Sequence, residues 1–282
     1  MATEAKILDG RKVAADLKAE LAALIQAEQL KVGLGTILVG NDPSSHSYVA
    51  GKHRDCQDVG INSIRIDLPA GSTERDILKS VEQLNQDPNC TGFIVQLPLP
   101  KEVDVNRVLE AIDPKKDADG LHPLNLGKLV LGEAAPVPCT PQAIFELVSR
   151  NGISWDGKEV VVIGRGTTVG RPLGLLLSGR SVNATVTLTH TGTKDITAHT
   201  KRADIIVAAL GRPHFLTEEM VSESAVVVDV GLSRIEDKLV GDISPTLYKK
   251  VSAYSPVPGG IGPMTRAMLL SNVVRLAKKS AN

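Results

Sequence analysis

Apolar and polar positions along the chain follow two spacings in turn, and each spacing predicts a different element. From Arg11 to about residue 29, apolar side chains recur every three or four positions, which predicts an amphipathic helix. Short apolar runs follow, separated by helical stretches, and these runs predict strands. The predicted strands are residues 34–39, 62–68, 92–98, 160–163, 184–189, 204–209 and 225–230. Strands that alternate with helices predict parallel sheets with helices on their faces, which is an α/β fold.

The helix predicted between residues 43 and 60 carries the first candidate chemistry. Tyr48 and Lys52 are four residues apart and therefore share one face of this helix. Gln96 falls near the carboxyl end of strand 92–98, and ligands of parallel sheets bind beyond that edge. A lysine acts as a general acid or base when burial or a nearby cation lowers its pKa. A solvated lysine and a core tyrosine are the commoner alternatives.

A glycine-rich turn lies at the centre of the second half of the chain. The strand 160–163 leads directly into Gly164, Gly166 and Gly170, and the apolar stretch 173–177 then predicts a helix. Strand, glycine turn and helix together predict a dinucleotide-binding site, because glycines let the backbone approach a pyrophosphate at the helix N-terminus. The spacing is one residue longer than the common motif, so a tight turn without a ligand is the alternative.

The end of the next predicted strand bears on the choice of dinucleotide. In NAD-binding proteins an acidic residue there binds the ribose 2′-hydroxyl, but this chain has residues 190–193, His-Thr-Gly-Thr, and no carboxylate before Asp195. Arg165, inside the glycine turn, is able to pair with a 2′-phosphate instead. The sequence therefore favours NADP over NAD.

Composition excludes several other classes of function. The 282 residues include 32 Lys and Arg and 32 Asp and Glu, so no net charge recruits nucleic acid or an anionic membrane. Cys56, Cys90 and Cys139 are far apart and odd in number, which fits neither a disulfide framework nor a metal site. No apolar segment is typical of a signal peptide or a membrane span. We therefore expect a soluble, cytoplasmic protein without a metal.

Capping residues predict where two of the helices begin. Asp42 is a suitable N-cap with Pro43 at the first helical position. Thr140 and Pro141 predict the start of another helix, ending at about residue 152 and bridging two domains.

Six separate segments make the chain similar to a known family. They are Tyr48–Lys52, Gly92–Pro100, Lys116–Gly120, Pro138–Pro141, Gly164–Arg165 with Val169–Gly170, and Pro256–Thr265. Together, in this order, they resemble bifunctional methylenetetrahydrofolate dehydrogenase/methenyltetrahydrofolate cyclohydrolase, over about residues 5–278. The last segment, which includes Pro-Gly-Gly-Ile-Gly-Pro-Met-Thr, is the most specific of the six.

The resemblance implies two reactions on one folate. NADP⁺ takes a hydride from 5,10-methylenetetrahydrofolate, and water then converts the methenyl product to 10-formyltetrahydrofolate, for purine and formyl-methionine synthesis. Lys52 matches the essential lysine, Gln96 the glutamine that tunes it, and Tyr48 the aromatic residue against the folate. Asp119 matches the aspartate that binds the amino-pyrimidine edge of the pterin, whereas Asp117 is expected to be a loop residue. The other implied substrate-binding residues are Leu97, Pro98, Gly259, Gly260 and Pro263.

The resemblance also implies how the cofactor is bound. The implied cofactor-binding residues are Gly164, Arg165, Gly166, Thr167, Val169, Gly170, His190, Thr191, Ala209, Gly211, Gly231 and Thr265. Thr265 is expected at the start of its helix, where free N–H groups could meet a phosphate. Many relatives have serine where this chain has Gly166 and Thr191, so the detailed phosphate contacts are expected to differ.

The resemblance implies two domains and a homodimer. We expect a folate-binding catalytic domain at residues 1–140 plus 266–282 and a Rossmann-type NADP-binding domain at 141–265. Residues 113–123 are expected to form a rim loop, and a helix from 264 to about 278 should pack back on the first domain. Folate is expected to bind in a cleft between the domains.

Three alternatives are weaker. Short-chain dehydrogenases also use Tyr and Lys at the spacing of Tyr48 and Lys52, but there the glycine motif precedes the pair. A shikimate-dehydrogenase-like enzyme would explain the fold but not the segment around Asp119 beside the Gly/Pro loop. A nucleotide-sensing protein without turnover would be stabilised by NADP but would not reduce it with folate. The relative rates of the two reactions and their direction in the cell stay open.

Overall fold

A computed structural model describes residues 5–281, and this part of the chain divides into two compact units. The six-strand unit comprises residues 5–14 and 140–265, and the three-strand unit comprises residues 15–139 and 266–281. Each unit contains a parallel sheet, so the predicted two-domain α/β fold is confirmed.

The helices and strands alternate along most of the chain. The helices are α1 Gly10–Ala27, α2 Pro43–Val59, α3 Glu74–Gln86, α4 Val105–Glu110, α5 Pro123–Leu131, α6 Cys139–Arg150, α7 Gly170–Ser178, α8 Ile196–Thr200 and α9 Ile261–Ala281. The strands are β1 Lys6–Ile7, β2 Gly33–Val39, β3 Asn62–Leu68, β4 Gly92–Val95, β5 Glu159–Ile163, β6 Thr185–Thr189, β7 Ile205–Ala208, β8 Val226–Asp229, β9 Ser233–Ile235, β10 Lys238–Val240 and β11 Ala253–Tyr254. Within residues 5–281, none of the helices combines the length and apolar character needed to cross a membrane.

The three-strand unit is built on β2, which lies between β3 and β4 in parallel register. Every residue of β2 is buried, as expected for a central strand with both faces covered. One face packs against α3 and the segment around α4, where Ile37, Leu84 and Phe93 are fully buried. The C-terminal part of α9 belongs to this unit, and Asn272 donates to the carbonyl oxygen of Ala118 at 3.0 Å. The expected return of the last helix to the first domain is confirmed.

The six-strand unit has the strand order β1-β11-β8-β7-β5-β6, with all the strands parallel. β6 lies on one side of β5 and β7 on the other, so the strand order reverses at β5. In open α/β sheets a dinucleotide binds at such a reversal, beyond the carboxyl ends of the strands. The glycine turn that begins at Gly164 follows β5 directly.

Residues 5–14 lie in a different unit from the one expected for them. Lys6 and Ile7 pair with Ala253 and Tyr254 and form the outermost strand of the six-strand sheet. A strand of two residues has no periodicity that a sequence pattern can detect. The sequence analysis assigned these residues to the folate-binding domain, whereas their contacts in the folded chain place them in the six-strand unit.

Most predicted elements are observed, and the differences lie at their ends. Asp42 caps α2 by accepting the Ser45 N–H at 2.7 Å, as expected. α6 begins at Cys139, so Thr140 is not its cap. α9 begins three residues before the expected Met264, with Pro263 inside its first turn, where a missing N–H is tolerated. Helices α4 and α5 and the β9–β10 hairpin were not predicted.

Candidate active site

Helix α2 and the end of β4 bring three predicted residues together. The Lys52 amine lies 5.2 Å from the centroid of the Tyr48 ring, one helical turn away on the same face. Lys52 Nζ donates a hydrogen bond to Gln96 Oε1 at 2.9 Å. Gln96 Nε2 donates to the carbonyl oxygen of Leu97 at 2.7 Å, which directs the amide oxygen towards the lysine. The peptide bond from Leu97 to Pro98 is cis.

The surroundings of Lys52 favour its neutral amine. The residue is 8% exposed, and this burial is the main reason why its pKa is lowered to about 8. The Asp119 carboxylate opposes the change, whereas the Arg266 guanidinium adds to it. An amine with this pKa populates both protonation states near neutral pH, as a general acid or base must.

Asp119 follows a short extension of the three-strand sheet. Phe93 of β4 pairs in parallel with Asp117, and the Cys139 N–H donates to the backbone oxygen of Asp119 at 3.2 Å. Burial raises the pKa of the Asp119 carboxyl, and the Lys52 charge opposes that change. Asp119 and Lys52 therefore lie close enough for each to affect the charge of the other.

Asp117 holds the loop that follows it. The sequence analysis expected only an ordinary loop residue at this position. Its buried carboxylate accepts the backbone N–H groups of Gly120, Leu121 and His122 at 2.9, 3.3 and 2.9 Å. It also accepts the Asn125 amide at 2.9 Å. Three of these four donors are backbone N–H groups of the loop. Asp117 therefore holds the loop in place and has a structural rather than a chemical function.

The sequence analysis missed an ion pair beside Lys52. Arg266 Nε lies 3.1 Å from Asp55 Oδ2, and Lys18 Nζ lies 2.8 Å from the other oxygen of the same carboxylate. The Arg266 guanidinium lies against Gly51, the residue directly before Lys52. Asp55 is one turn beyond Gly51 on α2, but Arg266 is more than two hundred residues away in sequence. No local pattern therefore links the pair.

Close backbone contacts leave no room for a side chain at two positions of the glycine turn in the six-strand unit. Gly164 has φ of +120°, and a Cβ there would lie 2.2 Å from the carbonyl oxygen of Ala209. A Cβ on Gly170 would lie 2.1 Å from the carbonyl oxygen of Gly164, whereas Gly166 has no atom within 4 Å of that position. Val169 precedes α7 and makes no side-chain capping bond. The start of α7 is thus a backbone surface suited to a pyrophosphate.

A buried carboxylate fixes the loop after β7, which includes the predicted residues Ala209 and Gly211. Asp242 is fully buried and accepts the N–H groups of Leu210, Gly211 and Arg212 at 2.6, 3.0 and 2.7 Å. The Gly211 N–H is therefore already bonded within the protein. Gly211 supports the loop conformation through its φ of +67°.

A second buried carboxylate fixes the loop after β8. Asp229 accepts the N–H groups of Gly231, Asp242 and Ile243 at 3.0, 2.9 and 3.0 Å. Burial raises its pKa to about 7, while these backbone bonds oppose that change. The sequence analysis missed both aspartates, although Asp229 lies two residues before Gly231 at the end of an apolar strand and Asp242 directly follows Gly241. That pattern is a weak signal by itself.

The loop after β6 contains no free carboxylate in the described structure. His190 Nδ1 accepts the Gly192 N–H at 3.0 Å, and the His190 N–H donates to Thr193 Oγ1 at 3.0 Å, which closes a tight turn. Asp195 caps α8 by accepting the Ala198 N–H at 3.0 Å. Asp195 is thus used within the fold. Five of the predicted cofactor-binding residues are exposed: Arg165, Gly166, Thr167, Thr191 and Gly211.

The Gly/Pro loop at residues 255–263 lies in the six-strand unit. Gly259 has φ of +117°, and the Gly260 N–H donates to the carbonyl oxygen of Pro256 at 2.8 Å. A Cβ on Gly10 would lie 1.8 Å from the carbonyl oxygen of Gly260, so α1 begins in close contact with this loop. The loop conformation therefore depends on glycines on both sides of the contact.

The expected position of Thr265 is wrong. Because α9 begins at Ile261, Thr265 lies one turn inside the helix, beyond the free N–H groups of the first turn. Its hydroxyl lies 3.2 Å from the carbonyl oxygen of Ile261 and 3.4 Å from Thr140 Oγ1. A phosphate contact through a free backbone N–H of Thr265 is excluded in this conformation.

Family models match both units. Residues 8–119 match the tetrahydrofolate dehydrogenase/cyclohydrolase catalytic domain, and residues 138–281 match the NAD(P)-binding domain of the same family. A bifunctional methylenetetrahydrofolate dehydrogenase/cyclohydrolase from Campylobacter jejuni is 40% identical, with a TM-score of 0.93 over 98% of this chain and 99% of that one. The Trypanosoma brucei enzyme, complexed with NADP and an inhibitor, is 36% identical, with a TM-score of 0.93 over 99% of both chains.

A more distant likeness addresses the shikimate-dehydrogenase alternative. A shikimate dehydrogenase from Thermus thermophilus is 15% identical, with a TM-score of 0.54 over 88% of this chain and 99% of that one, and this shows a shared fold alone. The chain belongs to the tetrahydrofolate dehydrogenase/cyclohydrolase family. It is an enzyme with the dehydrogenase and cyclohydrolase activities of that family, and it carries an NAD(P)-binding domain.

Proposed function

We propose that, as a member of this family, the chain uses Lys52 as the proton-transfer group of the cyclohydrolase step and NADP⁺ as the hydride acceptor of the dehydrogenase step. The observation that carries the first assignment is the buried Lys52 amine, with a pKa of about 8 and its hydrogen bond to Gln96. The second assignment is supported by the glycine turn after β5 and the absence of a free acid after β6 within the described residues.

The cyclohydrolase step needs a group that both accepts and donates a proton. Water adds to the methenyl carbon and loses one proton, which leaves a hydroxyl group on that carbon. This hydroxyl loses its proton as the formyl carbonyl forms, while the bond from the carbon to N5 breaks and N5 takes a proton. The reaction consumes one water and releases one net proton. In our proposal neutral Lys52 accepts the first proton and returns one at N5, while Gln96 keeps the amine directed at the reacting carbon.

The substrate is held by groups around Lys52. The Asp119 carboxylate offers two oxygens to the adjacent N–H donors of the amino-pyrimidine ring, and Tyr48 offers its ring face to the folate. We further propose that five other residues contact the substrate: Leu97, Pro98, Gly259, Gly260 and Pro263. Asp119 is half-buried, which limits the water that competes for those donors.

The residues of the six-strand unit fit an NADP molecule. The start of α7, with Gly164, Val169 and Gly170, suits the pyrophosphate, and exposed Arg165 suits the 2′-phosphate. Gly166, Thr167, His190 and Thr191 complete the proposed phosphate and ribose surface, with Ala209, Gly211 and Gly231 shaping its floor. Thr265 is proposed to act through its hydroxyl. Bound NADP⁺ supplies the hydride acceptor, and the protein orients the reactants.

The cellular setting is also a proposal. We propose a cytoplasmic homodimer that acts on tetrahydrofolate derivatives and supplies one-carbon units for purine and formyl-methionine synthesis. The support is the family membership and the balanced charge of the chain, with no net field for nucleic acid or membranes.

The first experiment compares NADP⁺ with NAD⁺. The purified protein receives 5,10-methylenetetrahydrofolate and either cofactor, and nicotinamide absorbance follows the reduction. We expect faster reduction of NADP⁺, and in Arg165→Ala a KM for NADP⁺ at least tenfold higher, with the KM for NAD⁺ little changed.

Arg180→Ala is the matched control, because Arg180 is an exposed arginine just beyond the C-terminal end of α7, at the opposite end from the proposed phosphate surface. Its KM for NADP⁺ should change much less than that of Arg165→Ala. A wild-type preference for NAD⁺ would contradict the proposed role of Arg165, and no reduction with either cofactor by folded protein would contradict the dehydrogenase assignment.

A further inference from the structure

The Arg266 side chain forms an ion pair with the buried carboxylate of Asp55. Asp55, whose side chain is only 9% exposed, accepts a hydrogen bond from Lys18 Nζ on one oxygen at 2.8 Å, and its other oxygen forms an ion pair with Arg266 Nε at 3.1 Å. Lys18 is held in turn by Asp58 at 2.9 Å. Because each oxygen of the buried carboxylate has a cation beside it, Asp55 is held in place, and its charge attracts the Arg266 guanidinium to this position.

The backbone of α2 leaves space for this guanidinium. A Cβ on Gly51 would lie 2.0 Å from Arg266 Nη1 and 3.2 Å from its Cζ. Glycine inside a helix costs about 1 kcal/mol relative to alanine. The glycine therefore opposes the local preference for helix but provides the space in which Arg266 rests, one residue before Lys52.

The charges around Lys52 give Arg266 a distinct effect. The ionisable side chains that face or neighbour Lys52 are Tyr48, His53, Asp55 and Cys56 of α2, Asp119, Cys139 of α6, and Arg266 of α9. Burial raises the pKa of Cys56 to about 11 and that of Cys139 well above its usual value, so both thiols are uncharged at neutral pH. Asp119 stabilises protonated Lys52, and Arg266 destabilises it.

We infer that Arg266 is a positioning residue for the cyclohydrolase reaction: paired with Asp55 and resting against Gly51, it places a positive charge beside Lys52, where that charge favours the neutral amine. The inference rests on the proposed role of Lys52. Burial is the main reason for the lowered pKa of Lys52, and the Arg266 charge acts in the same direction, against the effect of the Asp119 carboxylate.

The test measures the protonation of Lys52 in two ways. Side-chain NMR of ¹³C-labelled lysine, with the Lys52 signal identified by its loss in Lys52→Met, gives its titration midpoint directly. The pH dependence of cyclohydrolase kcat/KM gives the midpoint that governs the reaction. We expect both midpoints to rise by about half a pH unit or more in Arg266→Met, and to stay near the wild-type value in Arg266→Lys.

Two further variants separate charge from packing. In Gly51→Ala the new methyl group displaces the guanidinium, so both midpoints should rise although Arg266 itself is unchanged. Lys278→Met is the matched control, since Lys278 is another α9 cation, paired with Glu28 Oε1 at 2.6 Å, and lies roughly 18 Å further along the helix. Its midpoints should equal those of the wild type.

The outcomes distinguish the inference from the proposed function. An unchanged NMR midpoint in both Arg266→Met and Gly51→Ala overturns the inference, whatever the activity. A shifted NMR midpoint with an unchanged kinetic profile shows that Lys52 is not the group that governs cyclohydrolysis. In that case the proposed function of Lys52 fails, and with it the catalytic part of the inference. Parallel shifts support both.

Discussion

Lys52 of the three-strand unit and Asp242 of the six-strand unit are buried in opposite ways. In the three-strand unit, Lys52 is buried with one direct hydrogen bond, to Gln96, so its proton is easily gained or lost. In the six-strand unit, Asp242 is buried with three backbone N–H donors, from residues 210–212. The first arrangement leaves a side chain free to react, and the second uses a side chain to hold a loop.

The difference fits the division of the chemistry that we propose. Proton transfer needs a group whose two charge states have similar energies, and burial without full compensation gives Lys52 that property. Cofactor binding needs a backbone of fixed shape, and glycines with buried carboxylates provide it around β5, β7 and β8. Substitutions should therefore affect one activity through the first unit and cofactor binding through the second.

The largest expected effect comes from Lys52→Met. Loss of the proton-transfer group should lower cyclohydrolase activity by roughly 100-fold or more, whereas hydride transfer should keep much of its rate because it needs mainly alignment of the reactants. Separate assays of NADP⁺ reduction and methenyltetrahydrofolate hydrolysis check the split, with circular dichroism as the control for folding. Equal collapse of both activities in folded protein would contradict this separation of functions.

The second expected effect compares two glycines of one turn. Gly164→Ala places a Cβ 2.2 Å from the Ala209 carbonyl oxygen at a φ of +120°, so the turn must move. We expect the Kd for NADP⁺ to rise at least tenfold and stability to fall by about 1–3 kcal/mol. Gly166→Ala, which meets no atom, is the matched control and should bind NADP⁺ nearly as the wild type does. Calorimetric titration measures the Kd, and thermal unfolding measures the stability. Similar losses in the two variants would show that the close contact at Gly164 is not the cause.

The smallest expected effect is a pH dependence of stability. The pKa of Asp229 is raised to about 7 in the folded unit, so folding favours its protonated form. Its contribution to stability is therefore complete below about pH 4 and is lost as the pH rises through about 7. In Asp229→Asn the decrease in Tm between pH 5 and pH 8 should be smaller than in the wild type, by a few degrees.

Asp237→Asn is the control for that comparison, because Asp237 is fully exposed in the β9–β10 hairpin region. Its Tm should follow the wild-type pH dependence. An Asp229→Asn protein with the wild-type slope would show that Asp229 does not titrate in this range in the folded protein.

Much of the molecule could be predicted because the relevant signals are local. The Tyr48–Lys52 spacing, the Asp42 cap and the glycine turn after β5 each depend on residues within one or two helical turns. The position of Thr265 was wrong because the true start of α9 depends on a loop held by Gly10, which no local pattern includes.

The sequence by itself determined the α/β alternation, the candidate lysine and the dinucleotide turn, since periodicity and spacing fix which side chains share a face. Only the tertiary structure decided that Arg266 rests on Gly51 and Asp55, that Asp229 and Asp242 hold the loops after β8 and β7, and that β1 completes the larger sheet. These contacts join residues that are far apart in the chain. Their energies come from burial and from charges brought together by packing, and neither exists before the chain folds.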